Sequence, residues 1–127
     1  MAQRTCLVVD DSLVVRKAAR RIVEGLGFTV REAKDGQEAL ASCRETLPDG
    51  VLLDWNMPVM DGITFLRAAR AEFGPDHPRI VLCTTEAELA RILEALEAGA
   101  QEYVMKPFDA EIIRDKFTQA GLLEDAA

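Results

Sequence analysis

The sequence predicts an α/β domain: a five-stranded parallel sheet in the order 2-1-3-4-5, with helices on both faces. Three observations carry this. Five short apolar runs, at 5–9, 28–31, 51–53, 80–83 and 102–105, alternate with five segments of helical period. The first run beyond Thr5, and the third and fourth runs, are continuously apolar, as interior strands are, whereas the second and fifth carry polar residues along their length, as edges do. Hydrophobic residues make up 49 % of the 127 residues, enough for a core on each face of a sheet.

In chain order, Thr5-Cys6-Leu7-Val8-Val9 opens as a buried strand. Val15, Ala18, Ala19, Ile22 and Leu26 then form a helical stripe, which Gly25 and Gly27 close. Phe28-Thr29-Val30-Arg31 alternates and suits an edge. Asp35-Gly36 opens the second helix, whose stripe is Ala39, Leu40, Cys43 and Leu47. Val51-Leu52-Leu53 is the third strand, and Asp61-Gly62 opens a helix striped by Phe65, Leu66, Ala69 and Phe73. Ile80-Val81-Leu82-Cys83 is the fourth strand. Leu89, Ile92, Leu93 and Leu96 stripe the helix that Gly99 ends. Glu102-Tyr103-Val104-Met105 is the other edge, followed by a shorter stripe of Ile112, Ile113 and Phe117. Parallel strands joined this way require right-handed crossovers. The expected organisation is a single domain over 1–127 with no output domain attached.

Bulk properties narrow the function classes. The net charge is −7 and the pI about 4.7, which argues against direct nucleic-acid binding, since phosphate contacts need a basic face. No apolar run approaches the ~20 residues of a membrane span. The N-terminus lacks the pattern of a signal peptide, so the cytoplasm is the expected location. Cys6, Cys43 and Cys83 show no C-x-x-C spacing and read as small buried hydrophobes.

The chemistry gathers where strands end. Asp10 and Asp11 follow the first run and Asp54 closes the third, so parallel strands bring all three to the C-terminal edge of the sheet. Two unit charges ~5 Å apart repel by roughly 3 kcal/mol at an effective dielectric near 20. Such a cluster needs a proton or a cation, and a hard, oxygen-seeking ion such as Mg²⁺ suits it. Taken singly, each residue has a plain structural reading. Asp11 or Ser12 suits a helix cap, Thr84 and Thr85 can start a helix, Lys106-Pro107 can be a solvated turn, and Tyr103 can be an edge-strand aromatic. Asp54, followed by Trp55-Asn56-Met57-Pro58, fits no cap pattern. Together they bring three carboxylates, a hydroxyl and an ammonium to one edge.

The ordered set Asp10-Asp11, Asp54-Trp55-Asn56-Met57-Pro58, Met60-Asp61-Gly62, Thr84, Gly99-Ala100, Tyr103 and Lys106-Pro107-Phe108 resembles the receiver domain of two-component response regulators, within it the stand-alone CheY-like type. The likeness spans about residues 4 to 120. It implies a flavodoxin-like fold and the following roles. Asp54 is similar to the phospho-acceptor served by a sensor histidine kinase. Asp10 and Asp11 resemble the acidic pair for Mg²⁺ (or Mn²⁺), Asp10 partly through water, with the backbone carbonyl of Asn56 as a further ligand. Thr84 and Lys106 would contact the phosphoryl group, Tyr103 would follow Thr84 as a switch residue, and the Lys106–Pro107 bond is expected to be cis. Asn56 and Glu86 stand where lifetime is tuned and suggest a short-lived phosphoryl group. Thr85 replaces a smaller residue and would narrow access to Asp54. Output would pass to a protein partner through the face made by the fourth helix, fifth strand and fifth helix, plausibly in chemotaxis. Glu86, Glu88, Glu94 and Glu97 make that fourth helix acidic, with Arg91 its only cation. Such a domain catalyses its own phosphorylation and dephosphorylation rather than turning over a separate substrate.

Other readings make different demands. A haloacid-dehalogenase-type phosphatase needs a second acid two residues after its nucleophile, where this chain has Asn56. A flavodoxin needs a hydroxyl- and glycine-rich phosphate loop after its first strand, where this chain has Asp10-Asp11-Ser12. A phosphorelay or cell-cycle intermediate, or a pseudo-receiver that only docks partners, would share the same residues. His77 lies in a Pro-rich loop and carries no expected phosphotransfer role.

Overall fold

A computed structural model describes residues 3–85 and 89–124. Ten elements alternate: β1 (Thr5–Val9), α1 (Leu13–Gly25), β2 (Thr29–Ala33), α2 (Gly36–Glu45), β3 (Gly50–Asp54), α3 (Gly62–Phe73), β4 (Arg79–Thr84), α4 (Leu89–Ala98), β5 (Glu102–Met105) and α5 (Ala110–Gln119). The strands pair in parallel in the order β2-β1-β3-β4-β5.

The pleat of the strands divides the core. Leu7, Val9, Val51, Leu53, Ile80 and Leu82 face α2 and α3, meeting Leu40, Phe65 and Leu66. The alternate residues Cys6, Val8, Leu52, Val81, Cys83 and Val104 face α1 and α5, meeting Val23, Ile113 and Phe117. Burial of a large apolar side chain such as Phe65 or Phe117 contributes about 1.5–3 kcal/mol. All three cysteines are buried and reduced. Burial pushes the Cys6 thiol up to about 12 and Cys43 up to about 11, so both are poor nucleophiles.

Side-chain oxygens start four helices. Ser12, Asp35, Asp61 and Asp109 accept hydrogen bonds from the N–H groups of Val15, Glu38, Thr64 and Ile112 respectively. Ser12, not Asp11, therefore caps α1.

Several sequence expectations shift. Phe28 lies outside β2 and packs edge-on against Phe117, because its N–H bonds the Val23 carbonyl and closes the turn after α1. The α1 core is carried by Ala19 and Val23 while Ala18 is exposed, since apolar residues surround the first turn and left the buried face ambiguous. Leu47 lies beyond the end of α2 and is exposed. The α4 stripe also turns outward: Leu89 is 69 % exposed, Leu93 48 % and Leu96 40 %, while the small Ala95 makes the core contact. Ile112 is exposed as well, leaving Ile113 and Phe117 as the buried part of α5.

Candidate functional site

Every strand ends on the same edge of the sheet, and the chain puts polar groups there. Asp54 is the last residue of β3, 7 % exposed, opposite Cys83 on β4. Asp10 follows β1 and is 5 % exposed. Asp11, one residue on, is exposed. One carboxylate oxygen from each of Asp10, Asp11 and Asp54 can be chosen so that all lie within 4.8 Å of one another.

Lys106 reaches this cluster from the end of β5. Its Nζ donates to Asp10 Oδ2 at 2.9 Å and to Asp54 Oδ1 at 3.0 Å. Its backbone N–H bonds the Thr84 carbonyl at 2.9 Å, and the Lys106–Pro107 peptide is cis. Thr84 closes β4 and is buried. Thr85 is exposed and lines a groove of about 430 Å³ with Val14, Val15, Ala18, Pro107 and Phe108. Asn56 is exposed on the turn after Asp54. Tyr103 is half-buried, with the Lys116 ammonium 4.4 Å from its ring centre. Glu86 and Glu88 lie outside the described residues. His77 sits near the start of β4, at the opposite end of the sheet.

The turn after Asp54 depends on two glycines. A Cβ on Gly62 would sit 2.3 Å from the Asp54 carbonyl oxygen, and the Gly62 N–H bonds the Trp55 carbonyl at 2.8 Å. A Cβ on Gly36 would lie 2.6 Å from the Met60 carbonyl oxygen, which accepts the Gly36 N–H. Between these contacts Val59 adopts φ 69°, in the left-handed region where a β-branched residue is strained. Trp55, next to Asp54, is buried beneath α4, with the Arg91 guanidinium 4.8 Å above its ring.

The electrostatics follow from burial and crowding. Burial pushes the Asp54 carboxyl above the usual carboxylate range; the Lys106 hydrogen bond opposes this, and the charges of Asp10 and Asp11 reinforce it. Burial works to lower the Lys106 ammonium, but its bonds to Asp10 and Asp54 reverse that and leave it raised. Three carboxylates against one ammonium leave two negative charges in excess. A divalent cation matches that excess, and an all-oxygen donor set suits Mg²⁺ or Mn²⁺. Asp10 and Asp11, with Asp54, are the residues that would hold it.

One contributor was missed in the sequence. Arg16, on the first turns of α1, donates through Nη1 to the Asp10 backbone carbonyl at 2.8 Å. Its position four residues after the Ser12 cap was the available signal, but a helical arginine is usually a solvated charge.

Residues 6–118 match the family described as the response regulator receiver domain. The chain is 40 % identical over 111 residues to the chemotaxis protein CheY of Pseudomonas aeruginosa, covering 87 % of this chain and 90 % of that protein. It is 38 % identical to CheY-3 of Vibrio cholerae, covering 87 % and 85 %. The structure of CheY4 of Vibrio cholerae superposes with a TM-score of 0.86 at 31 % identity, covering 94 % of this chain and 99 % of that one. A CheX–CheY–BeF₃–Mg²⁺ complex from Borrelia burgdorferi contains a chain matching with a TM-score of 0.87 at 27 % identity, covering 94 % and 90 %.

Proposed function

We propose that this chain, which belongs to the response regulator receiver domain family, is a phosphorylation-controlled switch whose acceptor is Asp54. The observation that carries the proposal is the buried Asp54 held by Lys106 inside a cluster of three carboxylates. The donor is a phosphohistidine on a sensor histidine kinase. Asp54 Oδ1 is engaged by Lys106, so Oδ2 attacks. An O–P bond forms as the P–N bond of the donor breaks, and the leaving imidazole takes a proton from solvent. Asp54 needs no general base, because it reacts as the carboxylate.

Phosphoryl transfer has a loose transition state, so positioning and charge neutralisation do most of the work. A Mg²⁺ held by Asp10, Asp11 and the Asn56 carbonyl, beside Asp54, would supply part of that neutralisation. Lys106 supplies the rest, exchanging its carboxylate bonds for one to a phosphoryl oxygen. The Thr84 hydroxyl bonds another. Asn56 and Glu86 set how readily water reaches the acyl phosphate, and Thr85 narrows the approach.

Hydrogen bonds to charged groups contribute about 1.5–3 kcal/mol each. The Thr84 bond, new on phosphorylation, and the Lys106 bond, net of the carboxylate bonds it replaces, supply part of the ~5.5 kcal/mol that moves a two-state equilibrium from 1:99 to 99:1. As Thr84 moves, Tyr103 follows, and the surface of α4, β5 and α5 changes with it. The exposed Leu89, Leu93 and Leu96, flanked by Glu94 and Glu97, support this face as the one a protein partner reads. The names of the relatives favour motility signalling as the pathway.

The test is incubation with Mg²⁺ and phosphoramidate, read by intact mass. A gain of one phosphoryl group is expected, absent from Asp54→Asn and from samples treated with chelator. A labelled Asp54→Asn protein would contradict the assignment.

A further inference from the structure

Asp10 is held from every side, and one of its restraints comes from far outside the acidic cluster. Its N–H bonds the Ala33 carbonyl at 3.1 Å, its Oδ1 accepts the Ser12 N–H at 2.9 Å, and its Oδ2 accepts Lys106. The remaining group, its backbone carbonyl, accepts Arg16 Nη1 at 2.8 Å. The same guanidinium donates through Nε to Glu32 Oε1 at 2.8 Å, so one planar fork spans α1, the end of β1 and the edge strand β2. Lys17 and Arg20 donate to the other Glu32 oxygen at 2.7 and 2.6 Å. Both ends of the bridge are largely sheltered, with side-chain exposures of 15 % for Arg16 and 13 % for Glu32. Burial opposes ionisation of Glu32, yet hydrogen bonds from Lys17, Arg20 and Arg16 hold its carboxyl down to about 2. Glu32 is thus a fixed anion at any physiological pH.

We propose that Arg16 is a positioning residue for the divalent-cation pocket. It uses Glu32 as an anchor to fix the peptide of Asp10, and so the angle at which the Asp10 carboxylate enters the pocket. The proposal rests on the Mg²⁺ reading above. Outer restraints of this kind typically change metal affinity 10–100-fold.

The sign of the effect separates positioning from plain charge. Arg16 is a cation beside an acidic pocket. If it acted only through its charge, removing it would tighten Mg²⁺ binding. If it positions Asp10, removing it weakens binding. The chain has one tryptophan, Trp55, adjacent to Asp54, and its fluorescence provides a Mg²⁺ titration that needs no phosphorylation.

Wild type and Asp11→Asn are titrated first. A saturable wild-type response lost in Asp11→Asn establishes the pocket; no response in wild type overturns the Mg²⁺ reading, and this proposal with it. Given a working pocket, Arg16→Met is expected to bind Mg²⁺ about tenfold more weakly. Arg16→Lys keeps the charge but lacks the two-ended fork, and should bind as weakly. Glu32→Gln, which removes the anchor, should weaken binding severalfold. Arg20→Met, which removes another Glu32 partner that does not touch Asp10, should leave it unchanged. Melting temperatures with and without Mg²⁺ accompany each titration, so a general loss of stability is seen as an equal drop in both. Tighter binding in Arg16→Met, full rescue by Arg16→Lys, or equal weakening in Arg20→Met would each overturn the positioning role while leaving the pocket intact.

Discussion

At the C-terminal end of the sheet, Asp10, Asp11 and Asp54 crowd together, and the Lys106 ammonium bonds two of them, Asp10 and Asp54. At the N-terminal end the pattern is inverted. The Arg70 guanidinium donates to the carbonyls of Gly99, Gly74 and Pro78 at 2.9, 3.2 and 2.8 Å, and to Gln101 Oε1 at 2.7 Å. Gln101 Oε1 also accepts the Ile80 N–H, so one arginine ties together the ends of α3 and α4 and the start of β4. Burial, with the nearby charge of Arg79, lowers the Arg70 pKa from its ordinary value. The guanidinium nevertheless keeps its charge, because arginine is far too basic to lose its proton near neutral pH, and the carbonyl dipoles stabilise it. One end thus places charge where dipoles stabilise it, and the other crowds like charges together. The second arrangement is unfavourable at rest, as expected of the proposed cation and phosphoryl site.

Substitutions at each end can break or sharpen that contrast. The largest effect is expected at Gly62. Gly62→Ala drives a methyl carbon against the Asp54 carbonyl oxygen, 2.3 Å from its ideal position. It should destabilise the fold by about 3 kcal/mol in urea titration and also abolish labelling. Next is Arg70→Ala, which takes the donor from three backbone carbonyls and one of the two donors from Gln101 Oε1, and should cost about 2–3 kcal/mol. Because Arg70 lies at the far end, labelling per folded molecule should stay at the wild-type level. Loss of labelling there would erase the division between the two ends.

Asp54→Asn should do the opposite to stability. The folded Asp54 carboxyl is raised, first by burial and then by Asp10. An acid raised on folding favours the native state below its unfolded pKa and loses that benefit as pH rises through the folded pKa. Without metal, Asp54→Asn should therefore melt ~2–6 °C above wild type at neutral pH, with the gap closing in acid. A gap that widens in acid would mean the cluster is not frustrated. The smallest change is expected from Val59→Asn. Asparagine tolerates φ 69° better than valine, so thermal unfolding should show a gain of about 1 kcal/mol.

Much of this was legible in the residues. The sheet order followed from which runs were continuously apolar, and Asp10, Asp11, Asp54, Thr84 and Lys106 meet at one edge because parallel strands share an edge. Legibility failed where packing, not pattern, decides. The leucines of α4 repeat at helical spacing, yet Ala95 makes the core contact, because a stripe that faces outward has the same period as one that faces a core. Leu47 continued a pattern that α2 had already ended. Arg16 and Glu32 are far apart in sequence and become neighbours only once β2 lies beside β1.

The central claim is that Asp54 forms an acyl phosphate beside a divalent ion. The most direct measurement transfers radiolabelled phosphate from a phosphohistidine donor with and without Mg²⁺, then treats the product with hydroxylamine. The account predicts Mg²⁺-dependent label that hydroxylamine removes and that Asp54→Asn never acquires. Label that resists hydroxylamine, or that appears equally in Asp54→Asn, would contradict it.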